Sequence, residues 1–179
     1  MTALHDRSAA ELLALYARRE ASPVEVLNDL FAHIEHCEPK IAALWAYDAE
    51  AALAAARDSE ARWARGNARA LDGVPVTVKE NIATRGVPVP LGCAATLLVP
   101  AAADAPPAAR LREAGAVIVA KTTMPDLGML SSGLSSFHAL TRNPWDLSQN
   151  PGGSSAGAAA AWRSPAFALS VRDTIRWPS

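Results

Sequence analysis

Apolar positions along this chain fall into helical stripes first and β-branched runs later. After Ser8, the run AAELLALYARRE places Leu12, Leu13, Leu15 and Tyr16 on or near one face, which predicts an amphipathic helix. Ser22-Pro23-Val24-Glu25 reads as a second helix start: Ser can cap, Pro suits the first helical position, and Glu three residues on completes a capping box. Val26, Leu27, Leu30, Phe31 and Ile34 form its expected buried stripe. A third, Ala-rich helix is predicted from Asp48 to about Gly66.

The pattern changes at Asp72-Gly73, where a turn leads into Val-Pro-Val-Thr-Val and ends at Lys79, the first predicted strand. Prolines at 88, 90, 100, 106 and 107 predict loop over most of residues 86–107. Ala108 to Ala114 should be helical, capped by Gly115, and Ala116 to Ala120 should be a buried strand. A helix followed by a buried strand implies an α/β layer architecture. Pro125 reads as a helix start, Ser131 to Ser136 as loop, and Asn143-Pro144-Trp145-Asp146 as a turn. The Ala run from about Ser155 should be helical, and no repeat is visible.

Composition narrows the class without choosing a function. Half of the 179 residues are apolar and a fifth charged, which suits one globular domain with a core. A net charge of -1 with scattered basic residues offers no footprint for nucleic acid or anionic lipid; Glu20 directly follows the adjacent pair Arg18 and Arg19. Cys37 and Cys93 suggest neither a disulfide framework nor zinc, and no secretory leader is visible, so a soluble cytoplasmic protein is expected. Apolar runs break well before the roughly 20 residues a membrane span needs. His33, His36 and Cys37 make too poor a ligand set for a metal, so none is expected.

Two local features carry candidate chemistry. In Pro151-Gly152-Gly153-Ser154-Ser155-Ala156-Gly157, glycines let the backbone approach a ligand while hydroxyls stand at a helix start, a place that favours oxyanions. The plainer reading is a Ser-capped helix after a flexible turn. Gly153 to Gly157 matches G-x-S-x-G around Ser155, but Ser148-Gln149-Asn150-Pro151 precedes it where a nucleophile elbow needs an apolar strand. Without a Lys after the glycines it is not a phosphate-binding Walker loop either. Lys79 ends an apolar strand, where burial would disfavour the ammonium and free an amine to act as base. The plainer reading there is an amine reaching out to solvent.

Taken together, Leu71–Gly86, Leu111–Thr122, Thr141–Asp146 and Pro151–Gly157 resemble the amidase signature family in order and spacing, from about residue 8 to Ala161. The resemblance implies the N-terminal part of that family's α/β fold, a mixed β-sheet core surrounded by helices. It also implies cofactor-free hydrolysis of a small-molecule amide by a Ser-cis-Ser-Lys mechanism. Lys79 would be the base and Ser154 the middle, cis serine. Gly152, Gly153 and Ser155 would support the relay, and Ser131 and Ser132 would line the substrate pocket. Alternatives are the glutaminase subunit of a tRNA-dependent amidotransferase, which shares these motifs and needs partner subunits, or a non-catalytic binding fragment. No direct nucleic-acid or membrane partner is expected, and a homodimer is possible.

The resemblance stops after Ala161. The family's attacking serine lies in a segment of the form G-T-D-T-G-G-S-I-R-x-P-A, whereas Arg172 to Ser179 retains Asp173-Thr174 and Ile175-Arg176-Trp177-Pro178 without Gly-Gly-Ser between them. Ser170 and Ser179 lack the glycine context of a nucleophile, so the nucleophile is expected to be absent and the chain inactive. The expected organisation is a single incomplete domain over 1–179: a helical region at 1–68, an α/β core at 69–161 and a divergent tail at 162–179. Truncation or a shifted reading frame would account for that tail.

Overall fold

The computed structural model describes residues 3–163. Its first helix, α1 (Ala9–Arg18), opens on a reciprocal cap: the Ser8 hydroxyl accepts from Glu11 N, and the Glu11 carboxylate accepts from Ser8 N at 2.7 Å. The same device opens α2 (Pro23–Ile41), where Ser22 Oγ accepts from Glu25 N at 3.2 Å and Ser22 N donates to Glu25 at 2.8 Å. Ser22→Ala should therefore lower stability by about 1 kcal/mol, read as an earlier urea midpoint with unchanged slope. Asp48 caps α3 (Ala49–Ala64) by accepting from Ala51 N at 2.9 Å.

The stripe expected on α2 is the centre of the core. Leu27, Leu30, Phe31 and Ile34 pack with Ala52 and Ala56 of α3 and with Val117 and Val119 of a strand described below. Val26, on the flank of the same helix, joins Leu12 and Tyr16 of α1 in a second cluster. The Tyr16 hydroxyl donates to Gly73 O, tying α1 to the turn that starts the sheet.

The sheet has three strands in the order β1-β3-β2. β2 (Pro75–Lys79) runs parallel to β3 (Val117–Thr122), with α4 (Pro106–Glu113) in the connection between them. β1 (Leu44–Trp45) pairs antiparallel with the end of β3, Trp45 opposite Lys121. The last helix, α5 (Ala156–Arg163), puts Ala160 and Ala161 into the core.

Two sequence-based expectations are corrected, and one strand was not anticipated. β3 continues two residues past Ala120, because pairing with β1 and β2 extends hydrogen bonding through Lys121 and Thr122. The helix start at Pro125 becomes a three-residue 3-10 turn, Asp126–Gly128, interrupted by Leu127 at φ 52. β1 had no sequence signal, since two residues carry no periodicity and exist as a strand only through their partner.

Candidate functional site

β2 and α5 bring the two singled-out segments together. Lys79 closes β2, and Ser154 lies just before α5, 75 residues later; Lys79 Nζ donates to Ser154 Oγ at 2.9 Å. Lys79 is half-buried. Burial pushes its amine below the ordinary lysine range, and the charge of Glu80 opposes that shift. Because the net shift is downward, the neutral amine becomes available at lower pH than on an exposed lysine.

Close backbone packing holds Ser154 in reach. A Cβ on Gly157 would sit 2.3 Å from both Ala43 O and Thr123 N, so only glycine lets α5 settle on the end of β3. The Gly157 N–H donates to Thr123 O at 3.0 Å, fixing the contact. Gly153 is equally confined: a Cβ there would lie 2.5 Å from Ser132 O and 2.7 Å from Leu130 O. The Gly153–Ser154 peptide bond is cis, and Gly152 has φ 87. Gly152 N donates to the Asn150 side chain at 2.9 Å.

The other residues singled out in the sequence occupy different places. Ser131 and Ser132 are brought beside the glycines by their backbone; Ser131 is exposed, and Ser132 Oγ accepts from Leu134 N at 3.5 Å. Ser155 is exposed, and its carbonyl accepts from Ala159 N in the first turn of α5. The nucleophile segment, with Ser170 and Ser179, lies outside the described residues. Cys37 Sγ approaches His33 Nε2 at 3.1 Å, and among the described residues no group of three or more His, Cys, Asp or Glu could hold a metal. Nor is any described helix long and apolar enough to cross a membrane.

Three further residues were given no role from the sequence. Glu80 is fully buried and accepts from Gly92 N at 2.9 Å, and its other oxygen contacts His138 Nε2. Lys121 is 1% exposed, its Nζ has no hydrogen-bond partner among the described residues, and it lies 6.0 Å from the centre of the Trp45 ring. Burial pushes the Lys121 amine down to about 8. A lysine at the end of an apolar run was the signal used for Lys79, and Lys121 carries it too. The Glu80–His138 contact spans 58 residues and has no local pattern.

The family model for amidases matches residues 25–164. The chain is 43% identical over 161 residues to a glutamyl-tRNA(Gln) amidotransferase subunit of Nitratidesulfovibrio vulgaris (strain DP4), covering 90% of this chain and 33% of that protein. Among solved structures it is similar to a bacterial aryl acylamidase of the amidase signature family, with TM-score 0.81, 30% identity, and 88% of this chain against 33% of the other. The peptide amidase of Stenotrophomonas maltophilia gives TM-score 0.83 at 27% identity, covering 91% and 35% of the two chains. The chain thus spans about a third of the length of the relatives it matches.

Proposed function

Because the chain belongs to the amidase (amidase signature) family, we propose that it carries the proton-relay half of an amide-hydrolysing serine site, with Lys79 as base and Ser154 as relay. One observation carries this reading: a half-buried amine of lowered proton affinity sits 2.9 Å from a hydroxyl at the start of a helix. When Lys79 is neutral, the same contact reverses and its nitrogen accepts the Ser154 proton.

In the reaction proposed, the oxygen of an attacking serine bonds to the amide carbon while its proton passes to Ser154 and the Ser154 proton to Lys79. The carbon–nitrogen bond then breaks as the relay returns a proton to the leaving amine. Water attacks the acyl-serine next, by the same relay, and releases the carboxylic acid. Every transfer uses side chains, with no cofactor. Gly152 and Gly153 set the position of Ser154, Ser155 supports the helix start, and Ser131 and Ser132 border the space an amide would enter. Since Arg172 to Ser179 lacks the Gly-Gly-Ser of the family's nucleophile segment, the chain by itself is expected not to turn over amides. Loss of even one oxyanion donor typically costs a factor of about 100 to 1000 in rate.

Similarity to a component of an amidotransferase favours a second reading, in which the amide is glutamine and the ammonia passes to partner subunits. A non-catalytic fragment would instead bind an amide without turnover.

These readings are tested by incubating the chain with small aliphatic amides, aryl amides and glutamine, then treating it at neutral pH with p-nitrophenyl acetate. No ammonia above buffer is expected, and peptide mass spectrometry should find Lys79 acetylated ahead of the exposed Lys40. Acetylation of Lys40 with Lys79 untouched would remove the base from the scheme. Ammonia release abolished by Lys79→Ala would instead place a working nucleophile within the chain.

A further inference from the structure

A groove away from the relay carries chemistry of its own. It lies between the C-terminal half of α2, β1 and residues 137–139, has a volume of about 780 Å³, and has neither Lys79 nor Ser154 among its lining residues. Small-molecule sites are typically about 300 to 1,000 Å³, so the groove is large enough to hold one.

Aromatic rings form its walls. Trp45 ends β1 and meets Phe137 edge-on at 5.8 Å and His138 at 6.0 Å, while Tyr47 meets Phe31 of α2 at 5.5 Å. Trp45 is held further by its pairing opposite Lys121 in β3. These contacts fix the rings before any ligand arrives, so binding has little order left to impose. Lys121 itself is 1% exposed and does not line the groove, so its amine lies on the covered side of the Trp45 ring.

Acidic groups stand beside those rings. Glu35 and Glu38 are three residues apart on α2, hence on one helix face, and both line the groove. The Glu38 carboxylate is fixed, because its two oxygens accept from Leu44 N at 2.7 Å and from Ala43 N at 3.2 Å. Glu35 is exposed, and its charge reaches Tyr47: burial, and after it the Glu35 carboxylate, raise the Tyr47 phenol above the ordinary tyrosine range. The lining residues include no lysine or arginine to balance these two charges, and His138 is engaged by Glu80.

We propose that this groove binds a small aromatic cation of the arylalkylammonium class, with its aryl group among Trp45, Tyr47 and Phe137 and its ammonium toward Glu35. The rings offer apolar area to the aryl part and electron-rich faces to the cation, and the carboxylates select for positive charge. A neutral ligand of the same shape gains only the apolar part, and an anion meets Glu35 and Glu38 as like charges. Binding here asks nothing of Lys79 or Ser154, so it is tested apart from the relay.

The chain has five tryptophans, so nitrogen-15 labelling gives five indole N–H signals by NMR, and the one lost in Trp45→Phe belongs to Trp45. Three probes that share an aryl body are titrated separately at neutral pH: phenethylammonium, phenethyl alcohol and phenylacetate. Phenethylammonium at millimolar concentration should move the Trp45 signal and leave that of exposed Trp145 in place. Its affinity should exceed that of the alcohol by about threefold, with phenylacetate weakest. Glu35→Gln, a change at an exposed position, should bring the ammonium down to the level of the alcohol and leave the alcohol unchanged. An unmoved Trp45 signal, equal affinity for ammonium and alcohol, or a preference undiminished by Glu35→Gln overturns the inference. Movement of the Trp45 signal on dilution without any probe gives the groove to a second copy of the chain and overturns it equally. Should Glu35→Gln not fold, the wild-type comparison is repeated in high salt, which screens an exposed carboxylate. There the preference for the ammonium should shrink, and a preference that persists in full overturns the inference.

Discussion

Replacing Gly157 by alanine is expected to lower the melting temperature by roughly 6–12 °C, a loss of about 3 kcal/mol. The added carbon would meet Ala43 O and Thr123 N at 2.3 Å, and both are backbone atoms that cannot rotate aside. Ala43 follows α2 and is fully buried, and Thr123 follows β3, so neither can retreat without disturbing the core. The helix must lift instead, breaking the Gly157 N–H bond to Thr123 O and uncovering Ala160 and Ala161. Ser154 stands at the start of that helix, so the Lys79–Ser154 contact should open and Lys79 should titrate closer to Lys40. Thermal denaturation followed by circular dichroism supplies the first measurement. A melting point within about 2 °C of wild type would show that α5 does not depend on this contact.

Asp72→Ala should cost about 3 to 5 kcal/mol by urea denaturation. Asp72 is fully buried at the turn before β2, where Arg62 donates to both its oxygens at 2.8 and 2.6 Å and Arg69 N donates at 2.9 Å. Truncation strands a largely buried guanidinium and a backbone donor together. The pH dependence follows from the same contacts. Although burial pushes upward, hydrogen bonds from Arg62 and Arg69 outweigh it and hold the Asp72 carboxyl below the usual carboxylate range. A depressed carboxyl contributes stability that is fully present above its unfolded value, about 3.9, and lost as pH falls through the folded one. The wild-type chain should therefore lose stability in acid more steeply than Asp72→Ala. Parallel acid profiles would sink this account.

Local chemistry made much of the fold legible. Ser22 with Glu25 announces its helix, because a capping box lies within four consecutive residues. The stripe from Val26 to Ile34 names the helical side of the core, because helical periodicity and burial coincide. β1 and the far end of β3 were hidden, since their hydrogen bonds come from strands distant in sequence. At the site, Lys79 and the glycine-serine turn stood out through residue type and context, and their meeting across 75 residues appears only in three dimensions. Lys121 also ends an apolar run, within the stretch Leu111–Thr122, but its sequence context attached no role to it. Strand alternation places Glu80 on the other face from Lys79, but its contact partner His138 lies 58 residues away and leaves no local pattern.

The connection from β2 through α4 to β3, and onward to α5, also bears on how the chain folds. The helices before the sheet close on contacts near in sequence, whereas β2 and β3 pair in parallel only after the intervening segment has been gathered in. Each such closure costs entropy before it is rewarded, and the meeting of residues 79 and 154 closes a span of 75 residues. The amine and the hydroxyl are therefore expected to come together after the helical scaffold, and a nascent chain ending before residue 154 has no hydroxyl there for the amine to meet.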